Sequence, residues 1–293
     1  MSENYNKTEA SQKREYSAEE YRLRKKKERD GVYRLIDTTA ERMKTDGELF
    51  QTFLDVQARF DRYSAANCIL IAAQRPEATR LADFDTWKES GVSVNKGETG
   101  VAILGPGKEF ERGDGSTGIN YNVKKVFDIV QTNSKERTAP NVTRDERLIL
   151  KALISDAPCE LEITDNIAPT VNAVYNSGEK TIFVRAGMET PDIFRALSQE
   201  LAHARMDKGG GYSRNEHQGV AYFASYILCR RFGISTDVYN FSRMPSQYAN
   251  MDAKTFRAEL GRIRDTANEI SRDIDRFLKS PAKEKKERDD GAR

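Results

Sequence analysis

Apolar residues first fall into register around residues 47–61, where Leu49, Phe53, Val56, Phe60 and Tyr63 recur at alternating steps of four and three. That spacing predicts one core-facing stripe of an amphipathic helix, with Arg59 and Arg62 off the stripe. Upstream, a charged helix is predicted from Ser17, with Glu19 and Glu20 in its first turn and a basic run from Arg22 to Arg29 behind them. A short apolar helix follows at 67–74 and stops near Pro76. Residues 84–89 hold the single tryptophan, Trp87. The pattern then changes period. Val101 to Leu104 reads as a short strand closed by Gly105-Pro106-Gly107, residues 108–120 as a polar glycine-rich loop, and residues 121–130 as the returning strand. Alternation puts Val123, Lys125, Phe127 and Ile129 on one face of that strand, and Lys124, Val126, Asp128 and Val130 on the other.

After a polar stretch at 133–143, a helix is predicted at 144–154 and a strand at 160–163. A hairpin follows at 173–184, turning on Asn176-Ser177-Gly178. Two helices come next, joined by Gly209-Gly210-Gly211. Thr190, Pro191 and Asp192 suit the N-cap, the first helical position and the positive end of the first. The second runs to Gly233. A last helix from Asp252 carries Phe256, Leu260, Ile263, Ala267, Ile270, Ile274 and Phe277 in a heptad-like stripe. With about three heptads it reads as an amphipathic arm on the second domain rather than a coiled-coil seam. The chain is therefore expected to be α+β: a helix-plus-small-sheet domain over 18–132, a linker at 133–143, and a second α+β domain with a long C-terminal helix over 144–278. Residues 1–17 and 279–293 are expected to be disordered.

Charge adds a constraint. Lys and Arg number 48 against 46 Asp and Glu, a formal net charge of +2. That excludes a histone-like basic protein and leaves room for a local basic groove. No apolar run approaches bilayer length and the N-terminus has no signal-peptide core, so no membrane partner is expected. Cys68, Cys159 and Cys229 are odd in number, far apart and set among apolar neighbours. They read as free thiols of a cytoplasmic protein.

The chemistry concentrates at Gln199-Glu200-Leu201-Ala202-His203, which has the outline of the zinc-hydrolase motif His-Glu-x-x-His. Positions four apart share a helical face and grip one metal ion, and the Glu beside the first His takes a proton from metal-bound water. Here Gln199 stands where the first histidine belongs, a degenerate ligand position. His203 and Glu216 are the remaining metal candidates and Glu200 the general-base candidate. Each has a plainer reading: Ser213 to Glu216 spells a capping box, and His203 suits a hydrogen-bonded structural histidine. His217 follows Glu216 directly and points roughly 100° away.

Two stretches resemble a known family. Tyr63-Ser64, Asn67, Leu70-Ile71, Gln74, Pro76 and Ala78-Thr79, then Phe84, Trp87, Gly91, Val94, Lys96-Gly97-Glu98, Gly100 and Ile103, fall in the order of the N-terminal domain of ArdC-type antirestriction proteins. Lys125-Val126-Phe127-Asp128-Ile129 with Gln131-Thr132 resembles the end of the same domain. The resemblance implies non-sequence-specific binding of single-stranded DNA, on proteins of conjugative plasmids and related mobile elements that protect and establish incoming DNA. The second half resembles the zincin-like metallopeptidase domain of those proteins, similar to the ImmA/IrrE group. It implies His203 and Glu216 as zinc-ligand positions and Glu200 as base, with Gln199 departing from the pattern. The favoured expectation is a DNA-binding protein with a non-catalytic peptidase fold. An active zinc metallopeptidase, and a protein–protein module acting on restriction or conjugation proteins, are the competing readings.

Binding single strands takes cations along the phosphates and aromatic faces for the bases. Arg59, Arg62, Lys88, Lys96, Lys124 and Lys125 are the candidate phosphate contacts, Tyr63, Trp87 and Tyr121 the stacking platforms, and Asn67 and Gln74 the hydrogen-bonding amides. Against this, Tyr63 continues an apolar stripe, and Trp87 suits the seam between helix and sheet.

Overall fold

The computed structural model describes residues 17–136, 145–242 and 244–279. Most of the two ends expected to be disordered, and most of the predicted linker, lie outside the described residues. The chain begins with helix α1 (Ala18–Met43), whose start is fixed reciprocally: Ser17 Oγ accepts from the Glu20 N–H and the Glu20 carboxylate accepts from the Ser17 N–H. Helix α2 (Gly47–Arg59) is capped by Asp46, and α3 (Ala65–Gln74) by Ser64. A short strand β1 (Leu81–Ala82), helix α4 (Phe84–Glu89) and strands β2 (Val101–Glu111) and β3 (Thr117–Asp128) complete the first half. Its sheet is antiparallel, in the order β1-β3-β2.

Strands β2 and β3 run much further than the hydrophobic pattern predicts. Pairing continues from Val101↔Val126 through Pro106↔Tyr121, shifts register once, and resumes from Glu109↔Ile119 to Glu111↔Thr117. Residues 108–120, expected as a loop, are mostly the outer half of this ribbon. Both faces there meet water, so no core imprints an apolar alternation, and the backbone ladder alone holds the pair. Pro106, which has no N–H to donate, is tolerated because β2 is an edge strand.

The second half contains α5 (Glu146–Ile154), β4 (Glu160–Thr164), β5 (Ala173–Asn176), β6 (Thr181–Arg185), α6 (Thr190–Met206), α7 (Arg214–Phe232), α8 (Met244–Tyr248) and α9 (Ala253–Lys279). Its sheet has the order β4-β6-β5, with β4 parallel and β5 antiparallel to β6. Helix α6 starts one residue earlier than its capping signal suggested: Glu189 is the N-cap and Thr190 is already helical. Ser213 is the N-cap of α7 but makes no side-chain cap bond, so the expected box with Glu216 does not form. Gly233 ends α7 at φ 77°, a left-handed conformation that glycine adopts without strain.

The hydrophobic core runs through both halves as one cluster. Phe50 of α2 is wholly buried and packs edge-on against Phe223 of α7, with ring centroids 4.7 Å apart; Tyr248 and Phe256 close round it. Each such ring stabilises the fold by roughly 1.5–3 kcal/mol through burial. The predicted stripe of α9, from Phe256 to Ile274, is buried. That helix packs on α5, α6 and α7, and also on α1 and α3, so it is more than an arm of the second half. Among the described residues no helix is long and apolar enough to cross a membrane.

Candidate functional site

The first half offers an open groove of about 770 Å³ between α3, α4 and the sheet. Its floor is apolar, with Ile103, Leu104 and Val126. Its walls bring together Tyr33, Arg62, Tyr63, Tyr121 and Lys124. Tyr121 is 46 % exposed, and Tyr63 is half-buried against Phe60, with ring centroids 5.7 Å apart. Lys124 stretches its stem flat across β2, where a side chain on Gly105 would collide with it; a Cβ there would stand 2.6 Å from the Lys124 Cδ. Asp83, an acid in the same lining, is engaged as the N-cap of α4, accepting the Thr86 N–H at 2.8 Å.

A second cleft of about 480 Å³ adjoins the first and shares Tyr121. Its far wall is the basic run of α1, with Tyr21, Arg22, Lys25, Lys26 and Arg29. Lys25 is paired with Glu28 at 2.9 Å. Tyr121 therefore stands where two basic clefts meet. Tyr21 and Tyr33 were not singled out from sequence. Their available signal was an aromatic on the polar side of a basic helix.

Other predicted contacts are committed within the fold, including Asn67, which also lines the groove. Asn67 and Gln74 face the free edge of β2. Asn67 exchanges two hydrogen bonds with Leu104, at 2.8 and 2.9 Å, and Gln74 two with Ala102, both at 2.9 Å. Each side-chain amide thus behaves as one residue of a missing neighbour strand. The amides lie about 10 Å apart along the helix and their strand partners about 7 Å apart, a mismatch that the longer glutamine arm absorbs. Arg59 donates to the carbonyls of Pro76 and Ala78. Trp87 is buried, donates Nε1–H to the Phe127 carbonyl at 2.9 Å and lies under the Arg80 guanidinium. Lys88, Lys96 and Lys125 are exposed but are not part of the groove lining, Lys125 because it points from the opposite face of β3 to Lys124.

The second candidate lies between α6 and α7. Gly209, Gly210 and Gly211 adopt φ of 85°, 49° and 96°, which folds the chain back so that Tyr212 meets α6. His203 is wholly buried, with its Nδ1 2.7 Å from the Tyr212 hydroxyl and its Nε2 3.2 Å from Gln218 Oε1. An amide oxygen only accepts, so Nε2 carries the proton and Nδ1 accepts from Tyr212. Burial, and then the charge of Arg214, push the His203 pKa down to about 4. Glu200 is buried too. It accepts both arms of the Arg214 guanidinium, at 2.6 and 2.7 Å, and the Tyr175 N–H at 2.7 Å.

These residues do not fit a catalytic metal. Gln199 lines a small cleft of about 360 Å³ beside Glu200 and Arg214. Glu216 is exposed, and Gln218 is the α7 side chain that reaches His203. The donor set at this corner is therefore one doubly hydrogen-bonded imidazole and two amides, beside a carboxylate already held by a guanidinium. Among the described residues no group of three or more His, Cys, Asp and Glu side chains is arranged to hold a metal ion. Arg214, Tyr212 and Gln218 were not read from sequence as parts of this site, because no spacing rule links a helix start to a carboxylate fourteen residues earlier.

Comparison with known proteins bears on the first half and on the fold. Residues 32–150 match the family model of the N-terminal domain of anti-restriction factor ArdC. An uncharacterized protein of Bacillus anthracis, pXO2-81, is 26 % identical over 285 residues, covering 78 % of this chain and 48 % of the relative, so this chain spans about half that relative's length. Two crystal structures of the antirestriction ArdC protein from the R388 plasmid are similar. The metal-free form has a TM-score of 0.48 at 18 % identity, over 74 % of this chain and 84 % of that one. The Mn(II)-bound form has a TM-score of 0.51 at 16 % identity, over 74 % and 86 %. At that identity the second likeness speaks to the fold, a shared mixed α+β architecture.

Proposed function

From the match of residues 32–150 to the N-terminal domain of anti-restriction factor ArdC, we propose that this is an ArdC-type protein and that it binds single-stranded DNA without sequence preference. The role is antirestriction or DNA establishment for a mobile element, carried out in the cytoplasm. One observation carries the reading: the exposed ring of Tyr121 stands at the junction of two clefts walled by Arg62, Lys124 and the α1 cations. Stacking on an aromatic face accepts any base, and cations on either side follow the phosphates. Tyr33 and Tyr63 offer further ring edges along the same path.

The second half is, in this reading, a metallopeptidase-like fold without catalysis. The R388 ArdC protein has a Mn(II)-bound form, but the amides Gln199 and Gln218 and the engaged Glu200 argue against an activated water here. The test is fluorescence anisotropy of the whole chain with a labelled single strand and with its duplex, across a salt series. Preference for the single strand, with affinity falling steeply as salt rises, is the expected result. Equal binding of duplex overturns the single-strand proposal, and the absence of any salt-dependent affinity overturns it in favour of a protein–protein module.

A further inference from the structure

The corner between α6 and α7 keeps the outline of a cation site, yet the positive charge in it belongs to the chain. The Glu200 side chain is only 3 % exposed. A carboxylate so far from water is costly to bury without a cation and hydrogen bonds to pair it. Arg214 supplies a two-point fork from the first turn of α7, and Tyr175 adds a backbone N–H from β5. Gln199 and His203, four residues apart, share a face of α6, and Gln218 approaches His203 from α7. Two of these three positions carry neutral amides.

We infer that Arg214 has taken the place of a divalent cation in this corner, so that an internal ion pair ties α6, α7 and β5 together and the fold is indifferent to metal. The exchange is consistent in charge. A guanidinium neutralises one carboxylate, and amides at the flanking positions bring no further negative charge to balance. The inference rests on reading the second half as metallopeptidase-like. It does not depend on DNA binding, which every variant below should retain.

Zinc content after chelator dialysis and reloading with Zn²⁺, and thermal unfolding in zinc or chelator, test it on the full chain. The wild type should retain no stoichiometric zinc and show the same Tm in both. Rebuilding the ligands alone, Gln199→His with Gln218→Glu, should not change this, because a dication beside a fixed guanidinium is a like-charge contact. Adding Arg214→Ala to those two changes should produce stoichiometric zinc binding and a Tm that rises with zinc. Stoichiometric zinc in any chain that keeps Arg214 overturns the inference, and so does a folded triple variant that binds none.

A second pair of variants works without the triple one. Arg214→Met should lower Tm by roughly 5–10 °C, since it strands a buried charge whose partner keeps part of its exposure. Glu200→Gln in the same chain should restore most of that loss. An unchanged Tm in Arg214→Met overturns the inference. Oligonucleotide anisotropy on the same samples separates its failure from failure of the DNA reading.

Discussion

The groove on the first sheet and the corner between α6 and α7 are built from similar side chains, and they differ in where the polar atoms point. Around Tyr121 the hydroxyl, the Lys124 amine and the Arg62 guanidinium line open clefts. Around His203 each polar atom ends on another: Tyr212 on Nδ1, Gln218 on Nε2, Arg214 on Glu200. A network closed on itself fixes a conformation and offers little to an outside molecule. An open one leaves its electrostatics to a partner. Motif spacing drew attention to the closed site first, although the open one has the groups a ligand could use.

The largest effect should come from acid, and it belongs to the closed site. His203 holds its pKa near 4 in the folded chain, below the ordinary value near 6.5. The unfolded chain therefore takes up a proton that the folded chain refuses. This contribution to stability is complete above about pH 6.5 and lost as pH falls toward 4, to a total of about 3 kcal/mol. Urea unfolding at stepped pH reads it. His203→Gln should flatten that part of the profile, and an unchanged slope would mean that His203 is not the neutral, buried group described here.

Next in size is Tyr121→Ala at the open site. Single-strand affinity should fall by roughly tenfold to a hundredfold, the worth of one stacked base, with unfolding unchanged. The opposite pattern, lost stability with intact binding, would assign Tyr121 to structure.

Asn67→Ala should cost stability of roughly 1–2 kcal/mol, because the Leu104 N–H and carbonyl lose their partners at a partly buried edge. Single-strand affinity should not move. A weakened affinity in a folded variant would return Asn67 to the interface. The smallest effect is that of Lys124→Ala. It should lower the slope of log affinity against log salt by about 0.7, one phosphate contact on a single strand, whereas Lys125→Ala on the opposite face should leave it alone. Equal effects of the two lysines would remove the distinction between the faces of β3.

Where a face is buried, the sequence was readable. The stripe of α2, the stripe of α9 and the hairpin of β5 and β6 each imprint a core on the spacing of apolar residues. The outer ribbon of β2 and β3 carries no such imprint, because neither face meets a core, and its polar residues read as loop. Of the site residues, Arg62, Tyr63, Asn67, Tyr121 and Lys124 were recognisable by residue type and lie together in the groove. Gln74, Arg59 and Trp87 were recognisable too, but their partners, like those of Asn67, are backbone atoms, which no residue pattern announces. Glu216 and Gln218 sit two positions apart at the start of one helix. Which of them turns toward His203 depends on the rotation of α7 against α6, which residue spacing within α7 does not reveal.

Phe50 also makes the two halves inseparable. Its ring leaves the first half and lodges among Phe223, Tyr248 and Phe256 of the second. Side chains at the corner between α6 and α7 can change with little consequence for the first half, but the helices that carry them cannot be discarded. Deleting them would bare the α2 face to water and unsettle the scaffold that carries the open groove. Whatever else it does, the second half is a lining for its neighbour.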